Sequence, residues 1–336
     1  MRVGNNPNKD LEYQDKEYFN QIIMPVYIPY LKEYFKEALD ILKLSLNSIF
    51  ATVHTQKTYI TIVNNGSCNE VLDYLNELHA QNKIQEIIHT ENIGKLNAIL
   101  KGLAGSNIPI VTITDSDVLF LSGWQHETFQ IFNSHSNIGV VGLTPQFKMF
   151  ETNAHNLIFD TLFSKKVKFE TPQNPQALVA FYKSLGWKDN YNKDYLHKIL
   201  TLQLKNKKVC VGSGHFVASY RRTIFEENTS YIAAKMGAGS ENYLDEKPLK
   251  KGYWRVTTFD NYAYHLGNSI EEWMLQYTLQ PTDKELQYTA HKNNTKQSKL
   301  IYIVKNKLFA RLFKQKWIRN YYYKIKGLSP QERKEY

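Results

Sequence analysis

The sequence is poor in the features that would settle its class at once. Only two of its 336 residues are cysteine, Cys68 and Cys210, so no disulfide framework is implied. No apolar run approaches the ~20 residues needed to cross a bilayer. The N-terminal stretch MRVGNNPNKDLEYQDKEYFNQ is polar and lacks the apolar core of a secretory signal. There is no internal repeat. These absences exclude a disulfide-stapled module and a helical membrane protein, and they lead us to expect a chain kept in the cytoplasm.

What is present is mostly apolar runs and a local excess of positive charge. With 42% hydrophobic residues, the chain can bury one large domain, with or without a smaller appendage. Net charge is +10, from 42 Lys and Arg against 32 Asp and Glu. Between Ser298 and Tyr336 there are eleven Lys and Arg and two Glu, so +9 of the +10 lies there and the remainder is near neutral. A nucleic-acid enzyme would spread its basic residues along a cleft, so no nucleic-acid partner is expected.

Strand-like runs at 20–29, 57–63, 84–90, 109–114 and 138–144 alternate with helically spaced segments at 30–49, 70–81, 94–105 and 126–135. The runs are near-continuously apolar, as buried parallel strands are. The alternation predicts a doubly wound α/β sheet, mostly parallel and flanked by helices. In such sheets ligands bind beyond the carboxyl ends of the strands. Pro25 to Pro29, Asn64 to Ser67 and Asp115 to Asp117 all fall at those ends. Residues 145–208 give no clear assignment. Residues 208–227 suggest a strand, a glycine turn and a second strand running into a helix, and 241–256 a helix followed by a strand.

VTITDSDVLF (111–120) ends an apolar run with two carboxylates, Asp115 and Asp117. Placed at a ligand edge, such a pair suits a hard divalent cation, which can neutralise a nucleotide diphosphate and stabilise it as a leaving group. The same residues also suit a solvated turn in which Asp115 caps the next helix.

Four segments in order shift the weight toward the first reading: MPVYIP, the NNGS turn, ENIGKLNAILKGL and TDSDVLF. Together they resemble family 2 glycosyltransferases with the GT-A (Rossmann-like) fold, over residues 20–145 and more weakly over 208–267. The resemblance implies a nucleotide-sugar half at 20–145 and an acceptor half at 146–267, together a catalytic domain at 1–267. A connecting segment at 268–298 and a basic C-terminal helical tail at 299–336 follow. It implies that Pro25, Tyr27 and Asn64 contact the nucleotide, with Asn64 reading the base where Asp is commoner in the family. An Asn amide still offers a uracil imide both donor and acceptor. Lys95 would approach the phosphates, or be an exposed helix-start lysine. Asp115 would contact ribose or metal, and Asp117 would ligate Mn²⁺ or Mg²⁺. Glu241, eleven residues before Gly252, would be the general base for an acceptor hydroxyl, with inversion. It also suits a charge at a helix N-terminus. Asp245 is the rival base. His265 would be a third metal ligand or a diphosphate contact, or else structural. His215, in GSGHFVAS, would touch acceptor or diphosphate, or pack. Trp124 would wall the sugar site or belong to the core.

The resemblance also implies a UDP-sugar donor and a glycan or lipid-linked acceptor in cell-surface polysaccharide synthesis. A sugar-1-phosphate nucleotidylyltransferase would want a glycine-rich phosphate loop after the first strand, and MPVYIPYLKEYF has none. A non-catalytic adaptor would have no need of Asp115, Asp117 and Glu241. In the tail, Ile301, Val304, Leu308 and Leu312 share one helical face, with Lys307, Arg311 and Lys314 on another. A basic amphipathic helix of this kind suits an anionic membrane surface, making the protein peripheral on the inner face of the cell membrane. A helix packed on the catalytic domain with solvated lysines fits the same pattern.

Overall fold

The structure, a computed structural model, describes residues 3–5, 18–187, 193–227, 238–280, 285–290 and 297–336, with backbone alone at 238–241 and 335. The first half runs β1 (Asn20–Val26), α1 (Ala38–Thr52), β2 (Thr58–Asn65), α2 (Asn69–Ala80), β3 (Glu86–Thr90), α3 (Lys95–Leu103), β4 (Ile110–Thr114), β5 (Val118–Phe120), α4 (Trp124–Ser134) and β6 (Ile138–Gly142). The second runs α5 (His155–Asp160), β7 (Val167–Glu170), α6 (Pro175–Ser184), β8 (Ile199–Gln203), β9 (Lys208–Val211), β10 (Val217–Arg221), α7 (Ala238–Lys250), β11 (Trp254–Thr258), β12 (Ala263–His265) and α8 (Glu272–Gln276). The C-terminal segment holds α9 (Lys299–Ile303), a π-helical turn (Val304–Leu308), α10 (Phe309–Phe313), α11 (Lys316–Ile325) and α12 (Glu332–Glu335).

Ten strands form one sheet in the order β3-β2-β1-β4-β10-β6-β11-β9-β8-β7. Following the pairings across it, β3, β2, β1, β4, β6, β11 and β8 point one way, and β10, β9 and β7 the other. The expected mostly parallel sheet is therefore present, with β10 inserted antiparallel between β4 and β6. β5 and β12 pair separately as a short antiparallel ribbon.

Period-two alternation sends side chains of β1 to opposite faces. Ile22, Met24 and Val26 join Leu42 and Leu46 of α1 and Val71 and Leu75 of α2, whereas Ile23 packs with Leu96 and Ile99 of α3. The helix expected over 30–49 starts late. Residues 33–35 form a 3-10 turn with Glu33 at φ 46°, and Phe35 takes edge contacts from Tyr27, Tyr30 and Tyr34. Trp124 is core: it is fully buried against Phe120 and donates Nε1–H to Thr52.

The C-terminal segment is not one helix: it breaks at Gln315 before α11 and again before α12, and it packs. Phe313, Tyr322, Tyr323 and Leu328 enter the same core as Leu200, Val209 and Val256. The stripe Ile301, Val304, Leu308 and Leu312 faces outward. The segment thus combines the two readings its sequence allowed, with one face in the core and the other an exposed apolar stripe among lysines. Among the described residues, no helix is long and apolar enough to cross a membrane.

Tyr322 is buried with no hydrogen-bond partner for its hydroxyl among the described residues. Tyr322→Phe is expected to leave stability unchanged or raised, and Tyr322→Ala to cost about 3–5 kcal/mol in urea unfolding. Equal losses from both would show that the hydroxyl is bonded after all. His155 lies buried under Phe313, and burial, aided by Lys314, depresses its pKa from 6.5 to about 4. The unfolded chain therefore binds this proton first as pH falls. Stability present above pH 6.5 is lost toward pH 4, by up to about 3 kcal/mol. His155→Gln should flatten that stretch of the stability–pH curve, and an unchanged curve would refute the assignment.

Candidate active site

The site is built where β1, β2 and β4 end together. The register pairs Val26 with Asn64 and Ile23 with Ile113, so the turns after these strands share one edge. The NNGS turn is stitched to the end of β1, with Ser67 Oγ accepting from Ile28 N–H and donating to Val26 O. Asn64 is buried, its Oδ1 taking Ser67 N–H at 3.1 Å and its Nδ2 lying 3.2 Å from His89 Nδ1. The Asn64 amide is thus engaged at both ends in holding the turn. Pro25 lies within β1 beside Val63, and Tyr27, just beyond it, leaves its ring 41% exposed at the same edge.

Asn65 ties this turn to the next loop. Its Oδ1 accepts from Ile93 N–H at 2.9 Å and from Thr90 Oγ1, and its Nδ2 reaches Asn92. Gly66 sits at φ 86°, and a Cβ there would stand 2.9 Å from Asn92 N, so the close approach of the two turns requires glycine. Gly94, at φ 87°, then opens α3 and delivers Lys95, whose Nζ lies 2.5 Å from Asp115 Oδ1.

Asp115 leaves β4 with its N–H donating to Phe216 O of the neighbouring loop. The inserted strand β10 thus holds the acidic turn, and brings His215 alongside. Asp117 follows. One of its oxygens is 3.4 Å from His265 Nε2, and the other, Oδ1, is buried with no hydrogen-bond partner among the described residues. Burial pushes its carboxyl above the ordinary range, while His265 draws it back. His265 belongs to β12, where it pairs with Val118. Its Nδ1 is 3.0 Å from Ser184 Oγ of α6, and its ring meets Phe181 and Phe216 edge-on.

Among the described residues, no group of three or more His, Cys, Asp or Glu side chains stands assembled as a metal cage. Asp117 and His265 nonetheless fit a cation that takes its remaining ligands from substrate phosphates and water, as Mg²⁺ commonly does. A buried carboxylate oxygen without a partner is the feature such an ion would satisfy.

On the acceptor side, Asp245 of α7 accepts from Arg255, itself fully buried in β11, and lies 3.3 Å from His215 Nδ1. Arg255 also donates to Ser213 O at 2.7 Å. Asp245 is therefore the counter-charge of a buried guanidinium and an orienting contact for His215. Glu241 stands on the same helix, one turn earlier, with its side chain outside the described residues. Sequence reasoning missed Ser184, Phe181 and Arg255. Only Arg255 left a signal, as a lone charge inside the apolar strand run YWRV.

The model of the glycosyl transferase family 2 matches residues 22–229, which includes Asn64, Lys95, Asp115 and Asp117 and ends before Glu241, Asp245 and His265. No curated protein sequence matches the chain. Among solved structures, S. aureus TarS 1-349 in complex with UDP-GlcNAc is 13% identical with a TM-score of 0.46, over 77% of this chain and 61% of that one. The mannosyltransferase PcManGT from Pyrobaculum calidifontis, in complex with GDP-Man and Mn²⁺, is 14% identical with a TM-score of 0.43, over 71% and 54%. The chain thus spans less than two thirds of either. With well over half of its residues inside the family match, the chain belongs to glycosyl transferase family 2.

Proposed function

We propose that the protein transfers a sugar from a nucleotide-sugar, a UDP-sugar in the first instance, to a hydroxyl of a glycan or lipid-linked acceptor in cell-surface polysaccharide synthesis. The observation that carries this reading is Asp117, one of whose oxygens is buried with no partner among the described residues, beside His265 at the ligand edge of the sheet. Asp117 and His265 would hold Mn²⁺ or Mg²⁺, with Asp115 next to them, and the ion would supply charge neutralisation of the departing diphosphate.

The chain's own residues do the rest. Pro25, Tyr27 and Asn64 would contact the nucleotide at this edge, the exposed Tyr27 ring by stacking on the base. Lys95 brings a cation to the edge where phosphate would lie, and its pairing with Asp115 keeps both charges compensated before donor arrives. Glu241 accepts the proton of the acceptor hydroxyl. Attack from the face opposite the diphosphate then inverts the anomeric centre. Asp245, engaged by Arg255, positions His215 rather than taking that proton. The outward apolar stripe and the basic residues of the C-terminal segment suit an anionic membrane surface, where a lipid-linked acceptor would be met. The protein would then work on the cytoplasmic side, peripheral to the membrane.

Incubation with UDP-, GDP- and dTDP-sugars should release nucleotide from one donor in Mn²⁺ and not in EDTA. Calorimetry should show Mn²⁺ tightening UDP binding in the wild type and leaving Asp117→Ala unaffected. Absence of any metal-dependent nucleotide binding would end this reading. Glu241→Gln is expected to lower kcat by about 10²–10⁴-fold with UDP affinity intact. Asp245→Asn should instead show its main effect in urea unfolding, at about 3–5 kcal/mol, because it leaves the buried Arg255 charge uncompensated. The reverse pattern would exchange the two roles.

A further inference from the structure

Residues 162–168, LFSKKVK, lie in the stretch that gave no clear assignment from sequence, and they meet α11 at the edge of the sheet. Lys326 makes the junction. It is buried, its Nζ donates to Thr161 O at 3.2 Å and Ser164 O at 2.7 Å, and its carbonyl accepts Phe169 N–H. The loop is therefore fastened to the helix end rather than left to wander. Held this way, Phe163 projects into solvent at 92% exposure, beside Tyr321 at 64% and Ile325 at 44%. Between loop and helix lies a cavity of about 400 Å³, with Leu162, Phe163, Tyr321 and Ile325 as apolar lining and Lys165 and Lys168 among its basic residues. Lys168 also contacts Glu170 at 2.8 Å and remains half exposed.

The surface continues into the rest of the C-terminal segment. Phe159 of α5 meets Phe309 of α10 edge-on, and Lys305 pairs with Asp160. Large exposed apolar side chains on one side of a monomer mark an interaction site. The surrounding charge points to its occupant: Lys165 and Lys168 line the cavity with Phe163 and Tyr321, and Lys324 follows Tyr321 by one turn of α11. Aromatics and aliphatics rimmed by lysines complement an anionic bilayer, whose acyl boundary takes the first and whose phosphates take the second.

We propose that residues 162–168, the loop into β7 and its first two residues, form with α11 one insertion site for an anionic bilayer. Phe163 and Tyr321 enter the boundary between headgroups and acyl chains, and Lys165 and Lys168 hold lipid phosphates at the cavity mouth. This rests on the membrane-facing reading of the C-terminal segment and extends it to a second part of the chain.

The test is co-sedimentation of the full chain with vesicles of equal parts phosphatidylglycerol and phosphatidylcholine, against vesicles of phosphatidylcholine alone. Wild-type protein should bind the first at low salt, weakly at high salt, and not the second. Lys165→Gln with Lys168→Gln should weaken binding roughly thirtyfold, at about 1 kcal/mol per lysine. Phe163→Ser should weaken it roughly tenfold or more. Both variants should keep the wild-type urea midpoint. If Leu308→Glu with Leu312→Glu releases the protein while both loop variants bind like wild type, the insertion site is refuted and the membrane reading stands. If wild-type protein binds neither vesicle, both fall. Equal binding to the neutral vesicles would also overturn the site, since the lysines would then have no part in it.

Discussion

The parallel alignment of β2, β1 and β4 is the constraint on which the rest of the site depends. Parallel neighbours present their carboxyl ends on one edge, so the turns leaving them meet in space however far apart they lie in the chain. Val26 beside Asn64, and Ile113 beside Ile23, bring the NNGS turn and the acidic turn within reach of each other. Asn65 then draws in the loop before α3, and that loop carries Lys95 to Asp115. A slip of one residue in this register would send each of these side chains to the other face of the sheet.

The antiparallel insertion of β10 adds what a purely parallel sheet could not. It places Phe216 O against Asp115 N–H and carries His215 to the same edge. Each carboxylate has a basic side chain against it: Asp115 has Lys95, Asp117 has His265, Asp245 has Arg255. Only the Asp117 pair leaves a buried oxygen without a partner among the described residues. Burying a carboxylate without full compensation is costly, and a group kept in that condition is the one suited to a ligand. Asp245, by contrast, is matched to a fully buried guanidinium, which favours a supporting part for it.

Much of the first half could be read from sequence because its signals are local. Each apolar run of β1, β2, β4 and β6 is long enough to mark a buried strand. The segments between carry helical spacing, and the turns carry Asn, Gly and Asp where the backbone needs them. β5 and β12 were not visible, because three-residue strands following an acidic turn or a loop have no periodicity to read. The second half was harder for the same reason. β7, β8, α5 and α6 are short; the first three draw on the core they share with Phe313, Tyr322 and Tyr323, and α6 packs Leu178 against Met149, Ile199 and Cys210.

The sequence by itself determined which chemical groups stand at the carboxyl ends of the strands, since strand, turn and motif are properties of neighbouring residues. Asn64, Lys95, Asp115 and Asp117 belong to that set. Tertiary structure alone decided their partners. Ser184 reaches His265 across 81 positions, and His215 meets Asp245 across 30. Lys326 fastens a loop more than 160 residues earlier in the chain. Such contacts arise from the packing of whole elements, and a serine, an arginine or a lysine carries no local pattern that announces which distant group it will face.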